Sequence, residues 1–415
     1  MASVTPLKTA AELSLLAQAE GSKSVRQNSF ARYAAKGLPH RRVEAYHYTD
    51  IRALLKDAPA SAQKAGVAPT HFAFNEIDAC VITLIDGQVT AVPTNPLAGV
   101  SMNISDEVPD DGLAARSVFP SDGDPIIALN AAFVHRTLRV MIDAGCAIEK
   151  PVLLRCITTG AVSAYSRVVV EVANGASMTL IECHECASGG LTNSVVEIVA
   201  GDDVSVEHIR VNLGDESATV LTSFGGRIGV RSALTSGNFV TGGALSRHQV
   251  FLRFEGEGAT ATISGAALLK DRQQADTTLV VDHSVPECVS REHFAHVLDG
   301  EATGVFQGKI IVRPHAQKTD GKMMSRAVLL ADGATMNNKP ELEIFADDVQ
   351  CGHGATVGAL DDDLLFYLRA RGLPKPEAEA LMLQAFVGEA LEMITHEGMR
   401  EQLEWLSETW LKARG

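Results

Sequence analysis

Residues 168–209 read VVVEVANGASMTLIECHECASGGLTNSVVEIVAGDDVSVEHI. Short runs of β-branched and apolar residues, Val168–Val172, Met178–Ile181, Val195–Val199 and Val204–Ile209, recur along this stretch. Two compact turns, Ala173-Asn174-Gly175-Ala176 and Ala200-Gly201-Asp202-Asp203, offer Gly, Asn or Asp where a tight turn needs positive φ. Gly175 and Gly201 lie 26 positions apart, the right order for one coil of a strand-built solenoid.

The rhythm extends outward, from about Cys80 to Pro340. Ala79–Ile85, Pro151–Ile157 and Thr278–Val281 are further strand-like runs, and Gly256-Glu257-Gly258-Ala259 and Ala331-Asp332-Gly333-Ala334 are further turns. The later turns do not keep the spacing. Helix-length periodic segments are nearly absent here, which argues against an alternating βαβ sheet. A sandwich and a β-helix both remain. Stacked coils are favoured because they fill one another with Val, Ile, Leu, Ala and Thr, and so need few aromatic residues, here 5%.

The flanks differ. Thr9-Ala10-Ala11-Glu12 has capping-box spacing, a second helical stretch stops at Gly37-Leu38-Pro39, and Thr49 and Asp50 are candidate caps for a third. An Ala- and Pro-containing segment from Ala58 to Thr70 reads as a linker. At the other end Asp361-Asp362-Asp363 places negative charge where a helix N-terminus favours it. Leu383, Phe386, Val387, Ala390, Leu391 and Ile394 then form one apolar stripe, expected to pack on the domain. The expected division is a helical region and linker over 1–70, a β core over 71–340, and a C-terminal region over 341–415.

Composition narrows the function classes. The chain has 415 residues, 46% hydrophobic and 21% charged, an ordinary globular balance. A net charge of −15 with no Lys/Arg run disfavours nucleic acid and anionic membranes. No apolar stretch reaches the roughly 18 residues of a membrane span, and the first residues lack a secretory pattern. Seven cysteines, an odd number in a long chain, read as free thiols. A soluble cytoplasmic protein is expected.

Three clusters could carry chemistry. Cys183-His184-Glu185-Cys186 has the spacing of a zinc half-site or redox couple. No second such pair completes a zinc site, and the motif follows a strand-like run, so incidental thiols are expected. His293 and His296, with Cys288 and His283 upstream, match no metal spacing and read as core or surface histidines. In Gln350-Cys351-Gly352-His353-Gly354, an extended backbone would place Cys351 and His353 on one side. Thiolate and imidazole together suit iron, zinc or an iron–sulfur cluster, yet two ligands cannot close such a site. On spacing alone, a glycine-rich turn without metal fits equally. No P-loop or nucleophile elbow is present.

The stretch Lys339–Arg371, KPELEIFADDVQCGHGATVGALDDDLLFYLRAR, resembles the C-terminal signature of the SufB/SufD family of iron–sulfur cluster assembly proteins, in its D-type form. Phe306-Gln307-Gly308-Lys309-Ile310, His315–Gly321, Asp282-His283, Gly37-Leu38-Pro39 and Tyr46-His47-Tyr48-Thr49 resemble further family blocks. The family more often has Lys, then Cys-Ser-His, where this chain has Gln350, Cys351, Gly352 and His353. The resemblance implies a right-handed parallel β-helix between helical regions, and a non-catalytic scaffold. Its implied partners are a SufB paralogue, the SufC ATPase and, through SufB, a cysteine desulfurase. It implies a transient iron–sulfur cluster at the SufB-facing interface, with His353 and Cys351 as the matching residues, and for some members reduced flavin at the level of the complex. Phe366, Tyr367, Arg371 and Phe386 are the residues expected to face a partner. A homodimer remains open for the isolated chain. The alternatives are a β-helix carbohydrate-active enzyme, which would need charges on successive coils and exposed aromatics, and a zinc protein centred on Cys183 and Cys186.

Overall fold

The structure, a computed structural model, describes residues 7–21, 26–93, 97–108, 118–120 and 123–414. Its centre is a parallel β-solenoid of about 8 turns, with helices at both flanks. From Thr137 onward, successive strands fall alternately into two sheets. From Val152 onward each pairs in parallel with strands of the neighbouring coils rather than with its neighbour in sequence. The β-helix, not the sandwich, is the architecture.

The coil length explains why the repeat is only half visible. Register partners advance from Ser177 to Ser205 and Ala233, two steps of 28 residues. The next partners are Thr260, Val289, Asp320 and Gln350, steps of 27, 29, 31 and 30. The turns absorb these differences, so strands stay in register while the sequence period drifts. Gly175 (φ 73°) and Asp203 (φ 56°) supply the left-handed turn conformation.

Between the sheets, equivalent positions stack into columns. One runs Val168, Val196, Phe224, Val250 and Leu279. These side chains are nearly inaccessible and form the main apolar core. Gly225-Gly226, which by sequence reads as a turn or bulge, lies inside the strand Thr219–Ile228. The space a Cβ on Gly226 would need is taken by Leu252, 2.4 Å away. Gly242-Gly243 does lie in a turn.

The two outer faces are covered by different helices. The N-terminal helices Ala10–Gly21 and Gln27–Lys36 share a cluster with Tyr165, Leu191, Leu221 and Leu245 of one sheet. The expected capping box forms, with Thr9 N–H donating to Glu12 Oε2 at 2.8 Å and Glu12 N–H to Thr9 Oγ1 at 3.3 Å. The segment Ala58–Thr70 is not a free linker. Its residues 60–62 form a parallel bridge with Ser163, and Ala58 C=O accepts from Ser14 Oγ, because backbone there finds an edge to pair with. On the other sheet, Leu383, Val387, Leu391 and Ile394 bury against Ile181, Ile209, Phe239 and Val297, so the C-terminal stripe is core.

A helix inside the β span, Pro125–Phe133, has every residue buried. Asp124 caps it, accepting from Ile126 N–H and Ile127 N–H. Residue 340, the expected end of the β core, falls within the strand Thr335–Ile344, and one more strand, Gln350–Gly358, follows. The solenoid therefore includes the signature stretch through Gly358.

The two ends are unlike. At the first end the chain folds back on itself: Gln88–Ala91 and Val100–Ser105 pair antiparallel with Cys80–Ile85 and Thr137–Ile142. At the last end Thr335–Ile344 and Gln350–Gly358 are the terminal strands of their sheets, each paired along one side.

Candidate functional site

The open end carries the signature residues. Gln350–Gly358 pairs with Asp320–Leu329, which sets Cys351 opposite Gly321 and His353 opposite Met323. Met323 belongs to the inner core and Cys351 packs against it, so Cys351 and His353 share the inward side of the last strand. Extended backbone makes this so, since i and i+2 project alike. The glycine-rich turn reading is excluded. Cys351 is half-buried and His353 exposed. Burial pushes the Cys351 thiol up, with Asp320 and Glu292 adding to the rise and the Gly321 N–H opposing it. Gly352 faces open space, whereas Gly354 lies under Met324.

Among the described residues no group of three or more His, Cys, Asp or Glu converges as a metal site. Cys351 and His353 are two side chains of ligand type, fewer than the four that a closed zinc or iron–sulfur site takes.

Backbone polarity at this end is also directional. Gln350 N–H donates to Thr319 C=O. In a parallel ladder alternate residues bond to the same side, so the N–H groups of residues 351, 353, 355 and 357 point away from the solenoid. Thr335 N–H donates to Ala302 C=O, which by the same alternation places Pro340 where its missing N–H costs no internal bond. Two edges of ten and nine residues stand ready to accept strands.

Helix Asp362–Ala370 follows directly, capped by Asp361, and buries none of its residues. Phe366 is 74% and Tyr367 52% exposed. Arg371 lies over the Tyr367 ring at 4.8 Å. Phe386 is half-buried among the apolar contacts between helices and solenoid, with the Arg326 guanidinium 5.2 Å from its ring.

The other clusters do not assemble. Cys183 faces the C-terminal helices while Cys186 belongs to an inner cluster with Ala218 and Val220, so the two thiols leave opposite faces of one strand. They cannot share a metal. Burial pushes both thiols up. Cys183→Ala with Cys186→Ala is expected to leave metal content unchanged and to cost about 1–2 kcal/mol of stability each; metal analysis and denaturant titration check this. His293 faces outward, 4.0 Å from Glu389, and His296 inward. Cys288 donates to the Gly256 and Pro286 carbonyls.

Two polar features were not read from the sequence. Inside the solenoid, the Glu182 carboxylate meets His208 Nε2 at 2.5 Å and His184 Nε2 at 3.1 Å. Burial opposes its charge, but these hydrogen bonds outweigh burial and hold it below the usual carboxylate range. The second feature is a ladder of charges across coils on one outer face: Arg139–Glu171, Arg167–Glu197, Arg227–Glu255 and Lys309–Glu343. Charges on successive coils, one of the two features a carbohydrate-active β-helix would need, are thus present. They neutralise one another as ion pairs, and of the described exposed aromatics Phe345, two residues beyond Glu343, lies near the ladder, while Phe366, Tyr367 and Trp405 lie on the C-terminal helices. That pattern does not suit a sugar-binding groove.

The fold is thus a parallel β-solenoid whose last coil carries a thiol and an imidazole on one inward side. Residues 155–386 match the family model described as SUF system FeS cluster assembly, SufBD core domain, and residues 12–92 match the SufBD protein N-terminal region. The core match covers more than half the chain, and the chain belongs to the SufBD family of iron–sulfur cluster assembly proteins. It is 28% identical over 406 residues to the iron–sulfur cluster assembly protein SufD of Escherichia coli (strain K12), covering 94% of this chain and 93% of that protein. It is 29% identical over 382 residues to a SufBD family protein of Synechocystis, covering 86% and 84%. It is 26% identical over 291 residues to SufD of Bacillus subtilis (strain 168), covering 68% and 66%. No described helix is long and apolar enough to cross a membrane.

Proposed function

We propose that this chain is the D-type scaffold of an iron–sulfur assembly complex, pairing end to end with a SufB-type paralogue so that a nascent cluster forms at the shared end. The observation that carries the reading is the open end itself. Two unpaired strand edges offer backbone hydrogen bonds to another β-helix, and Cys351 and His353 stand on the inward side of one of them. The cluster is cargo. This chain's part is to offer one thiolate and one imidazole, to hold them at fixed strand spacing, and to leave the remaining ligands to the partner. The cluster's sulfur would reach the site through the partner from a cysteine desulfurase.

The SufC-type ATPase is assigned to the C-terminal helices. Removing everything after Gly372 would not test this, because Leu383, Val387 and Leu391 are core and their loss would expose the solenoid face. Helix Asp362–Ala370 is the better target, since it buries nothing. Phe366→Ala with Tyr367→Ala is expected to leave the melting temperature unchanged and to weaken binding of purified ATPase about tenfold or more, as loss of exposed aromatic anchors does. Unchanged affinity would move the dock elsewhere.

The whole reading is tested by co-expressing the chain with a SufB-type partner and the ATPase, purifying anaerobically, and measuring stoichiometry, iron and labile sulfide. A chain that elutes alone, or as a homodimer indifferent to the partner, sinks the proposal.

A further inference from the structure

Two strands inward from the open end, the solenoid interior holds a carboxyl group with nothing to neutralise it. Glu292 lies on the strand Val289–Leu298, and register stacks Ile263, Glu292, Met323 and His353 in one inward-facing column. The neighbouring column stacks Ser290, Gly321 and Cys351. Glu292 is 2% exposed, and neither of its oxygens has a hydrogen-bond partner among the described residues. The Ser290 hydroxyl beside it is engaged with His283 Nε2 at 3.0 Å. Arg291, next in sequence, points to the other face and binds Asp320 at 2.5 Å.

An unpartnered buried carboxyl is costly, and its register neighbours here, Ile263 and Met323, are apolar core residues. Burial pushes it up to about 8, with the Ser290 hydroxyl and the Arg291 charge opposing the rise. Groups held at such cost concentrate at functional sites.

We propose that Glu292 is the inward counter-charge for metal cargo held at Cys351 and His353. It is a positioning residue, acting through the charge of the cargo and not by ligating it. Divalent iron bound by one thiolate and one imidazole keeps net positive charge. The acid is neutral while no metal is bound; positive charge about 10 Å away, two strand spacings, acts across an interior that screens it far less than water does and draws it into the carboxylate form, its proton leaving to solvent. This inference rests on the reading of Cys351 and His353 as ligands.

The test titrates cobalt(II) anaerobically into the purified full chain and follows the thiolate-to-cobalt absorption band, with thermal melts alongside. Glu292→Gln is expected to weaken cobalt affinity about tenfold, the lower end of what outer-shell losses cost, with no fall in melting temperature because the group it replaces is neutral and without a hydrogen-bond partner in the metal-free chain. Glu292→Asp keeps the charge and should retain most of the affinity. His353→Ala serves as the reference and should lose the site. Wild-type affinity in Glu292→Gln beside a loss in His353→Ala overturns this inference and spares the ligand reading. Wild-type affinity in both overturns the ligand reading and the inference with it. A Glu292→Gln chain that melts several degrees lower, or a Glu292→Asp chain as weak as Glu292→Gln, marks the carboxyl as structural and also overturns it.

Discussion

His353→Ala is expected to give a protein that folds and pairs normally yet retains about a tenth or less of the wild-type iron and labile sulfide per complex. The reason for intact folding is exposure. His353 lies on the inward side of a terminal strand with no further coil above it, so its loss removes little buried area. The reason for the large loss is the ligand count. This chain offers two candidate ligands at the open end, and removing one halves its contribution. Losing even an outer-shell partner of a metal site costs 10–100-fold in affinity, so losing a ligand should cost at least the lower figure. Cys351→Ser should be milder if the thiol only assists. Anaerobic purification of the complex, with iron and sulfide assays, decides it. Wild-type cluster content in the His353→Ala complex would leave the partner as the sole source of ligands.

The second large effect concerns the edge. Ala355→Pro with Val357→Pro should abolish pairing with the partner while the isolated chain stays folded. Both residues direct their N–H groups away from Asp320–Leu329, by the alternation that starts at Gln350, so proline there breaks no bond inside the solenoid. It removes two donors from the interface and places rings where a neighbouring strand must lie. Two hydrogen bonds and a steric clash together are worth about 3 kcal/mol, or about a hundredfold in affinity. Analytical ultracentrifugation of the mixed chains measures the effect. Undiminished pairing would show that the partner binds some other surface. Proline at residues 354 and 356, which bond inward, should instead destabilise the last coil.

Much of this was readable from local pattern. Strand and turn chemistry around Gly175 and Asp203 identified the β-solenoid, and period-two alternation put Cys351 and His353 on one side. Features that depend on coil-to-coil register were not readable, because the coil length drifts between 27 and 31 residues along one sheet after Ala233. Glu292 is the clearest example: nothing near it in sequence says that it stacks beneath Met323 and His353. The ion-pair ladder was hidden for the same reason, its partners being some 30 residues apart. Helix Pro125–Phe133 was missed on other grounds. All nine residues are buried, so it shows no amphipathic stripe. Asp124-Pro125, a cap followed by proline at the first helical position, was the available signal. The segment Ala58–Thr70 looked soft because small residues and prolines carry little apolar pattern, while its anchoring uses backbone.

The unlike ends of the solenoid have a consequence for the size of the assembly. A strand edge that recruits another strand can in principle recruit without limit, which is how β-rich fibres grow. Here the two ends are unequal templates, because the first coils end in short antiparallel strands of four and six residues, Gln88–Ala91 and Val100–Ser105, while the last end presents parallel strands of ten and nine. Two chains of this design that meet at their last coils bury the long edges and present only the short antiparallel ones outward. The result is a finite body with one central seam, and whatever is built at that seam is built once per pair.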